Sequence, residues 1–320
     1  MIAAIRIALF AGLAMLAIPA AAQRIEVPIK AVTMTSGAPR YTVDLQINGH
    51  PIEAALDTGS TGLRVLAASV PDARGGGDAV RYRFNAGVEL AGSAVKVMLG
   101  IGTLPAGQAR VARIDTVKCV QRLPDCPAEG ADPAAFRIMS DGIPGQGFVA
   151  IIGIGMRHDV VENPLVQPGI KRWIVDLPRP GATAPGRLIL NPDNAEVARY
   201  RQFDMLPNTN MIAGCVTAAD KKVCAPALLD SGSAGIKIRG GTDSDIIAPR
   251  TPATISIGDA KQTASITVEI GRRDQLTMMR LYPPGTPGER LLSLGVAPYL
   301  RWSILYDFPG HRVGVADRSN

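Results

Sequence analysis

The sequence predicts a mainly β protein built as two similar halves, and three observations carry that prediction. Alternating apolar and polar residues recur in short runs, as at Tyr41, Val43, Leu45 and Ile47, the period of a half-buried strand. Turn formers are abundant: 34 glycines and 25 prolines stand among 320 residues, with aromatics at only 4%, a balance that favours short strands over long helices. The segment Leu-Asp-Thr-Gly-Ser at 56–60 reappears as Leu-Asp-Ser-Gly-Ser at 229–233, each time at the end of a largely apolar run. The surrounding elements repeat as well, which is duplication of a whole lobe and not a short-period solenoid.

The first 22 residues read as a targeting segment. Arg6 supplies positive charge, Ile7 to Ile18 is an uncharged apolar run, and Ala20-Ala21-Ala22 forms an A-x-A cleavage pattern before Gln23. The run is too short to span a bilayer comfortably. An exported protein without a stable membrane span is expected, in the periplasm or outside the cell. Only about 35 residues separate the expected cleavage point from Asp57, which leaves little room for an inhibitory propeptide, so no zymogen is expected.

From Gln23 the chain alternates strands and turns. Tyr41 to Ile47 leads into Asn48-Gly49, a strong two-residue hairpin signal, and Ile52 to Leu56 returns to deliver Asp57. Leu63 and Val65 begin another strand, and Val80 to Ile101 reads as a hairpin containing Gly87 and Gly92. Phe148 to Gly155 is a glycine-closed apolar run, the mark of a buried strand, and Asn163-Pro164 has the chemistry to cap a short helix. The stretch Pro178 to Gly186 is the best candidate boundary, giving lobes at 23–180 and 181–320. Beyond it the pattern restarts: Met211 to Val216 and Val223 to Leu229 form a hairpin that delivers Asp230. Leu291 to Gly295 then answers Ile151-Ile152-Gly153.

Charge and cysteine usage narrow the class. The formal net charge is +6, and the densest basic stretch, Arg110, Arg113, Lys118 and Arg122, reads as a solvated face. Few aromatics accompany it, so no nucleic-acid partner is expected. Six residues lie between Cys119 and Cys126 and eight between Cys215 and Cys224. The two local pairings suit an oxidising compartment, and each disulfide would stabilise by roughly 2–3 kcal/mol. Neither spacing is C-x-x-C and no histidine lies close by, so no metal is expected.

The two acid turns carry the chemistry. A carboxylate at the end of a buried strand is costly unless held, and the flanking Thr, Gly and Ser supply hydroxyls and close N–H groups that can hold it. One such triplet arises by chance in on the order of one chain in ten, and two in matched settings make the signal specific.

With Ala55-Leu56-Asp57-Thr58-Gly59-Ser60 and Leu228-Leu229-Asp230-Ser231-Gly232-Ser233 in view, the chain resembles the pepsin-like aspartic proteases. Supporting matches are the apolar runs ending at Gly153 and Gly295, the linker from Trp173 to Leu190, and Trp302 to Ala316. The resemblance covers nearly all of the chain beyond Ala22. It implies a bilobal fold of two duplicated β lobes with few short helices and a central cleft, each lobe giving one aspartate beneath a hairpin flap. It also implies a monomeric endopeptidase acting on extended protein or peptide, without a cofactor. Asp57 and Asp230 are the expected catalytic pair. Thr58 and Ser231 are expected to brace the turns, Gly59 and Gly232 to bring N–H groups close, and Ser60 and Ser233 to donate to the outer carboxylate oxygens.

Two departures stand out. The flap region offers Tyr82 and Phe84 outside the family's usual Tyr-Gly setting, with Phe84 nearer the expected place. The tryptophan that follows the first acid turn in the family is replaced by Arg64. Those changes motivate a rival expectation, a catalytically weak or inactive peptide-binding or inhibitor protein of the same fold. Other chemistries fit poorly. His50, His158 and His311 form no H-E-x-x-H, neither Ser60 nor Ser233 sits in G-x-S-x-G, and Gly100-Ile101-Gly102 and Gly153-Ile154-Gly155 lack a third glycine for dinucleotide binding.

Overall fold

The structure is a computed structural model that describes residues 23–73, 76–84, 86–121, 123–132 and 134–318. The expected targeting segment at 1–22 and Arg122 of the basic stretch lie outside the described residues. Strand takes 49% of the chain and helix 5%, so the mainly β expectation holds.

The first half runs β1 (Ile25–Thr33), β2 (Pro39–Ile47), β3 (His50–Asp57), β4 (Thr61–Leu66), β5 (Ala79–Arg83), β6 (Val88–Ile101), β7 (Leu104–Cys119) and β8 (Ala150–Ile154). It continues with β9 (Arg172–Asp176), β10 (Gly186–Leu190), α1 (Asn194–Ala198) and β11 (Arg201–Asp204). The second half holds β12 (Met211–Thr217), β13 (Lys222–Leu229), β14 (Ile236–Arg239), β15 (Pro252–Gly258), β16 (Thr263–Glu269), β17 (Met279–Tyr282) and β18 (Leu291–Gly295). It ends with β19 (Trp302–Asp307) and β20 (Arg312–Asp317).

Asn48 and Gly49 both take positive φ, 50° and 82°, which is what a two-residue turn needs to match the strand twist, and it sets the β2–β3 register. Along β3 burial rises from an exposed His50-Pro51 start to Ala54, Ala55, Leu56 and Asp57, all inside. The cause is β8, which pairs in parallel with that end of β3, opposing Asp57 to Gly153, and antiparallel with β4. Parallel strands covered on both faces read as continuous apolar runs, as Ala150-Ile151-Ile152 does.

The second half repeats this arrangement. The hairpin β12–β13 feeds a parallel pairing of β13 with β18, β18 pairs antiparallel with β14, and β14 pairs in parallel with β17. The first half has the same order in β2, β3, β8, β4 and β7. In both, the acid turn straddles the end of the strand in the middle, β8 or β18.

The two halves are not segregated by sheet. A 7-stranded sheet holds only β12 to β18, whereas a 13-stranded sheet contains all the first-half strands, β1 to β11, together with β19 and β20. Pro178 to Pro185 is the turn between β9 and β10, which pair with each other, and β19 pairs with β9. Trp173 and Trp302 are buried here, and Trp173 stacks on Tyr306 with ring centroids 5.8 Å apart.

Asn163-Pro164 opens turns and not a helix. Both ends of the Asn163 side chain are used locally, Nδ2 donating to Gly155 O at 3.0 Å and Oδ1 accepting from Leu165 N–H at 2.8 Å. Gly169, at φ +91°, then redirects the chain. The helix that does form, α1, is set by Asp193 and Glu196, a capping box whose two side chains each accept from the other's backbone N–H. Both local disulfides, Cys119–Cys126 and Cys215–Cys224, are formed, the second across directly opposed positions of β12 and β13. Arg110 and Arg113 pair with Asp78 and Asp115, and Lys118 lies 3.4 Å from Glu89. No helix among the described residues is long and apolar enough to cross a membrane.

Candidate active site

Asp57 and Asp230 are both buried, and the glycines two residues on reveal how they face each other. A Cβ placed on Gly59 would fall 2.7 Å from Asp230 Oδ1 and 3.1 Å from Asp57 Oδ1. One methyl group would therefore touch both carboxylates. A Cβ on Gly232 would fall 2.8 Å from Asp57 Oδ1. Both glycines are required by space and not by dihedral angle, since neither has positive φ. Each also donates its N–H to the acid of its own turn, Gly59 to Asp57 Oδ1 at 2.8 Å and Gly232 to Asp230 Oδ1 at 3.0 Å.

Thr58 and Ser231 lock the turns reciprocally. Thr58 N–H donates to Ser231 Oγ at 3.0 Å, and Ser231 N–H donates to Thr58 Oγ1 at 2.9 Å. The hydroxyls go on to carbonyls of the opposite strand ends, Thr58 to Leu229 O at 2.8 Å and Ser231 to Leu56 O at 2.9 Å. Four buried hydrogen bonds of about 1 kcal/mol net each bind one sheet to the other at the acids. Tyr299 Oη lies 2.7 Å from Thr58 Oγ1, and Tyr306 Oη lies 2.7 Å from Tyr299 Oη. With Thr58's single proton given to Leu229 O, Tyr299 donates to Thr58 and Tyr306 to Tyr299. Burial pushes both phenols up, so the chain of hydroxyls stays protonated.

The outer oxygens are held differently on the two sides. Ser60 Oγ donates to Asp57 Oδ2 at 2.6 Å, as its place in the turn suggests. Ser233 does not repeat this: its hydroxyl donates to Gly235 O at 2.9 Å. Ser293 on β18 supplies the donor to Asp230 Oδ2, at 2.9 Å. The β13–β18 register slips between Leu228, which opposes Ser293, and Leu229, which opposes Gly295. The first half has no such slip, and Asp57 opposes Gly153 in regular register. A serine inside an apolar run was the available signal for Ser293.

The carboxyl of Asp57 is pushed up to about 6, first by burial and then by the neighbouring charge of Asp230. The hydrogen bonds from Ser60 and Gly59 and the charge of Arg64 oppose that rise. Two acids this close lose their protons as a pair, with one ionised before the other.

The β5–β6 hairpin brings Tyr82 and Phe84 to this region, and of the two it is Tyr82 that meets Arg64. Its ring lies under the guanidinium of Arg64, with Cζ 3.6 Å from the ring centroid, and Phe84 meets it edge-on at 4.9 Å. Met139, from the segment between β7 and β8, was not indicated by any motif. Its Cε would stand 3.0 Å from a Cβ on Gly232, giving the acids an apolar neighbour. Compared with known proteins, the chain matches no family model and no curated protein.

Proposed function

We propose that this protein is an exported aspartic endopeptidase of the pepsin-like, bilobal kind, with lobes at 23–180 and 181–320 and Asp57 and Asp230 as its catalytic pair. The observation that carries the reading is the convergence of two buried carboxylates whose inner oxygens are near enough for one methyl group to touch both. The reciprocal Thr58–Ser231 hydrogen bonds fix that convergence across two sheets.

The chemistry follows from the shared proton. A water between the inner oxygens loses its proton to the ionised carboxylate as its oxygen bonds to the peptide carbonyl carbon. The protonated carboxyl donates to the carbonyl oxygen, and the tetrahedral intermediate forms. The C–N bond then breaks as a proton passes to the nitrogen, leaving a new carboxyl and a new amine. An Asp57 carboxyl near 6 supports a singly protonated pair in mildly acidic to near-neutral solution. The substrate is extended polypeptide, laid beneath β5–β6 as an added strand.

The test is cleavage of a denatured protein by the purified chain from pH 3 to 7, with and without a statine-type transition-state mimic. Wild type should cleave and be blocked, and Asp230→Ala should lose at least about a thousandfold in kcat/KM. Intact cleavage by Asp230→Ala would overturn the proposal. Tight binding of the mimic without cleavage would favour the peptide-binding alternative.

A further inference from the structure

We propose that Arg64 is a positioning residue of the acid site: it seats the β5–β6 hairpin through Tyr82 and holds the hydroxyl that donates to Asp57. The proposal rests on the reading of Asp57 and Asp230 as a working acid pair. Arg64 lies on β4 and is only 4% exposed. Its Nη2 donates to Thr61 O at 2.6 Å, and its Nη1 donates to Gly62 O at 3.2 Å and to Ser60 Oγ at 3.4 Å. That Ser60 hydroxyl lies 2.6 Å from Asp57 Oδ2, so a single hydroxyl separates the cation from the carboxylate. The guanidinium face is covered by the half-buried ring of Tyr82.

A buried cation is costly, and among the described residues no carboxylate forms an ion pair with Arg64. Three acceptors and an aromatic face offset that cost. Leucine at this position would pack beside Leu66 and Ile151 without it. The arginine does two things that an apolar residue cannot. Its flat, weakly hydrated face accepts a stacked ring, which fixes the hairpin over the acids. Its charge favours the ionised state of the pair. Besides Arg64, the acids face the phenols of Tyr82, Tyr299 and Tyr306, which burial and the acids' own charge keep protonated, while Arg157 and Asp159, beyond β8, act on Arg64.

Three variants of the full chain separate the two roles: Arg64→Met, Arg64→Lys and Tyr82→Leu. Two measurements are made on each, amide hydrogen exchange over residues 79–92 and the carbon-13 carboxyl titration of the acid pair. Tyr82→Leu and Arg64→Met should both speed exchange in the hairpin by about tenfold. Arg64→Met should also move the pair's titration upward by about one pH unit, because a nearby cation favours the carboxylate. Arg64→Lys should keep the titration near wild type while leaving the hairpin fast, since an ammonium offers no flat face. Unchanged hairpin exchange in both Arg64 variants, or an unmoved titration in Arg64→Met, overturns the proposal. Should Arg64→Met not fold, Arg64→Lys and Tyr82→Leu decide the hairpin's seat and Arg64→Gln the titration. Neither measurement needs turnover. A wild-type chain that cleaves nothing would sink the peptidase reading while leaving the Arg64 seat to stand or fall on its own. A cleaving protein whose hairpin ignores Arg64 would do the reverse.

Discussion

The hydrogen bonds between Thr58 and Ser231 allow a quantitative test of what holds the two acid turns together. Thr58→Val keeps the β-branched shape and removes only the hydroxyl. Three bonds end at that oxygen: the one it donates to Leu229 O at 2.8 Å and those it accepts from Ser231 N–H at 2.9 Å and from Tyr299 at 2.7 Å. The losses are unequal. Tyr299 Oη already lies 3.4 Å from Leu229 O, so it can turn to that carbonyl and satisfy both groups. Ser231 N–H has no such substitute and is left buried and unpaired, which costs about 1–3 kcal/mol. Adding one net hydrogen bond of about 1 kcal/mol gives about 2–4 kcal/mol in all. Ser231→Ala orphans Thr58 N–H and withdraws the donor to Leu56 O, with no neighbouring hydroxyl in reserve, so it should cost at least as much. The assay is urea unfolding followed by tryptophan fluorescence and far-UV circular dichroism, with coincident transitions required before free energies are compared. A loss below about 0.5 kcal/mol in both variants would refute the argument that these bonds join the sheets.

Ser293→Ala should lower kcat/KM by about tenfold and more than Ser233→Ala does, because only Ser293 donates to Asp230 Oδ2. Equal losses in steady-state kinetics would contradict the assignment. Asp57 gives a pH dependence of stability whose sign is fixed by its raised carboxyl. The folded state holds this proton more tightly than the unfolded chain, so the contribution is full below about pH 4 and is lost as pH rises through about 6. A rise from 3.8 to about 6 amounts to about 3 kcal/mol. Asp57→Asn should therefore be more stable than wild type at pH 7 by up to that amount, with the difference vanishing near pH 4. Thermal unfolding across that range checks it, and a pH-independent difference would count against it.

Much of the fold was legible because its signals are local. Asn48-Gly49 fixed one hairpin, the alternation in Tyr41 to Ile47 fixed its strand, and the glycine-closed runs marked β8 and β18. The Asp-Thr-Gly-Ser and Asp-Ser-Gly-Ser turns exposed the acids for the same reason, since each turn carries its own glycine N–H donor. What could not be read depends on register or on a partner far along the chain. Asn163-Pro164 looked like a helix start because nothing nearby shows that Asn163 bonds Gly155. Ser233 looked equivalent to Ser60 because the turns match, while the register slip beside Leu229 that brings Ser293 to Asp230 leaves no trace in either turn. Met139 reaches Gly232 across more than ninety positions of chain, beyond any periodicity argument.

Arg64 shows a further limit of reading by matched positions. Against the pepsin-like pattern it is a loss, since arginine cannot repeat the tryptophan expected there. Physically, the hairpin needs a flat, buried surface beside β4 on which an aromatic ring can rest. A guanidinium supplies that surface, provided its donors are satisfied, and Thr61, Gly62 and Ser60 satisfy them. The ring it receives is then Tyr82, the residue two positions before the one that alignment by place would choose. A tryptophan there would also be flat, but it would bring no charge within one hydroxyl of Asp57. The exchange keeps a seat for the hairpin and adds an electrostatic influence on the acid pair that lowers its titration, so a peptidase built this way should work at lower pH with Arg64 than without it.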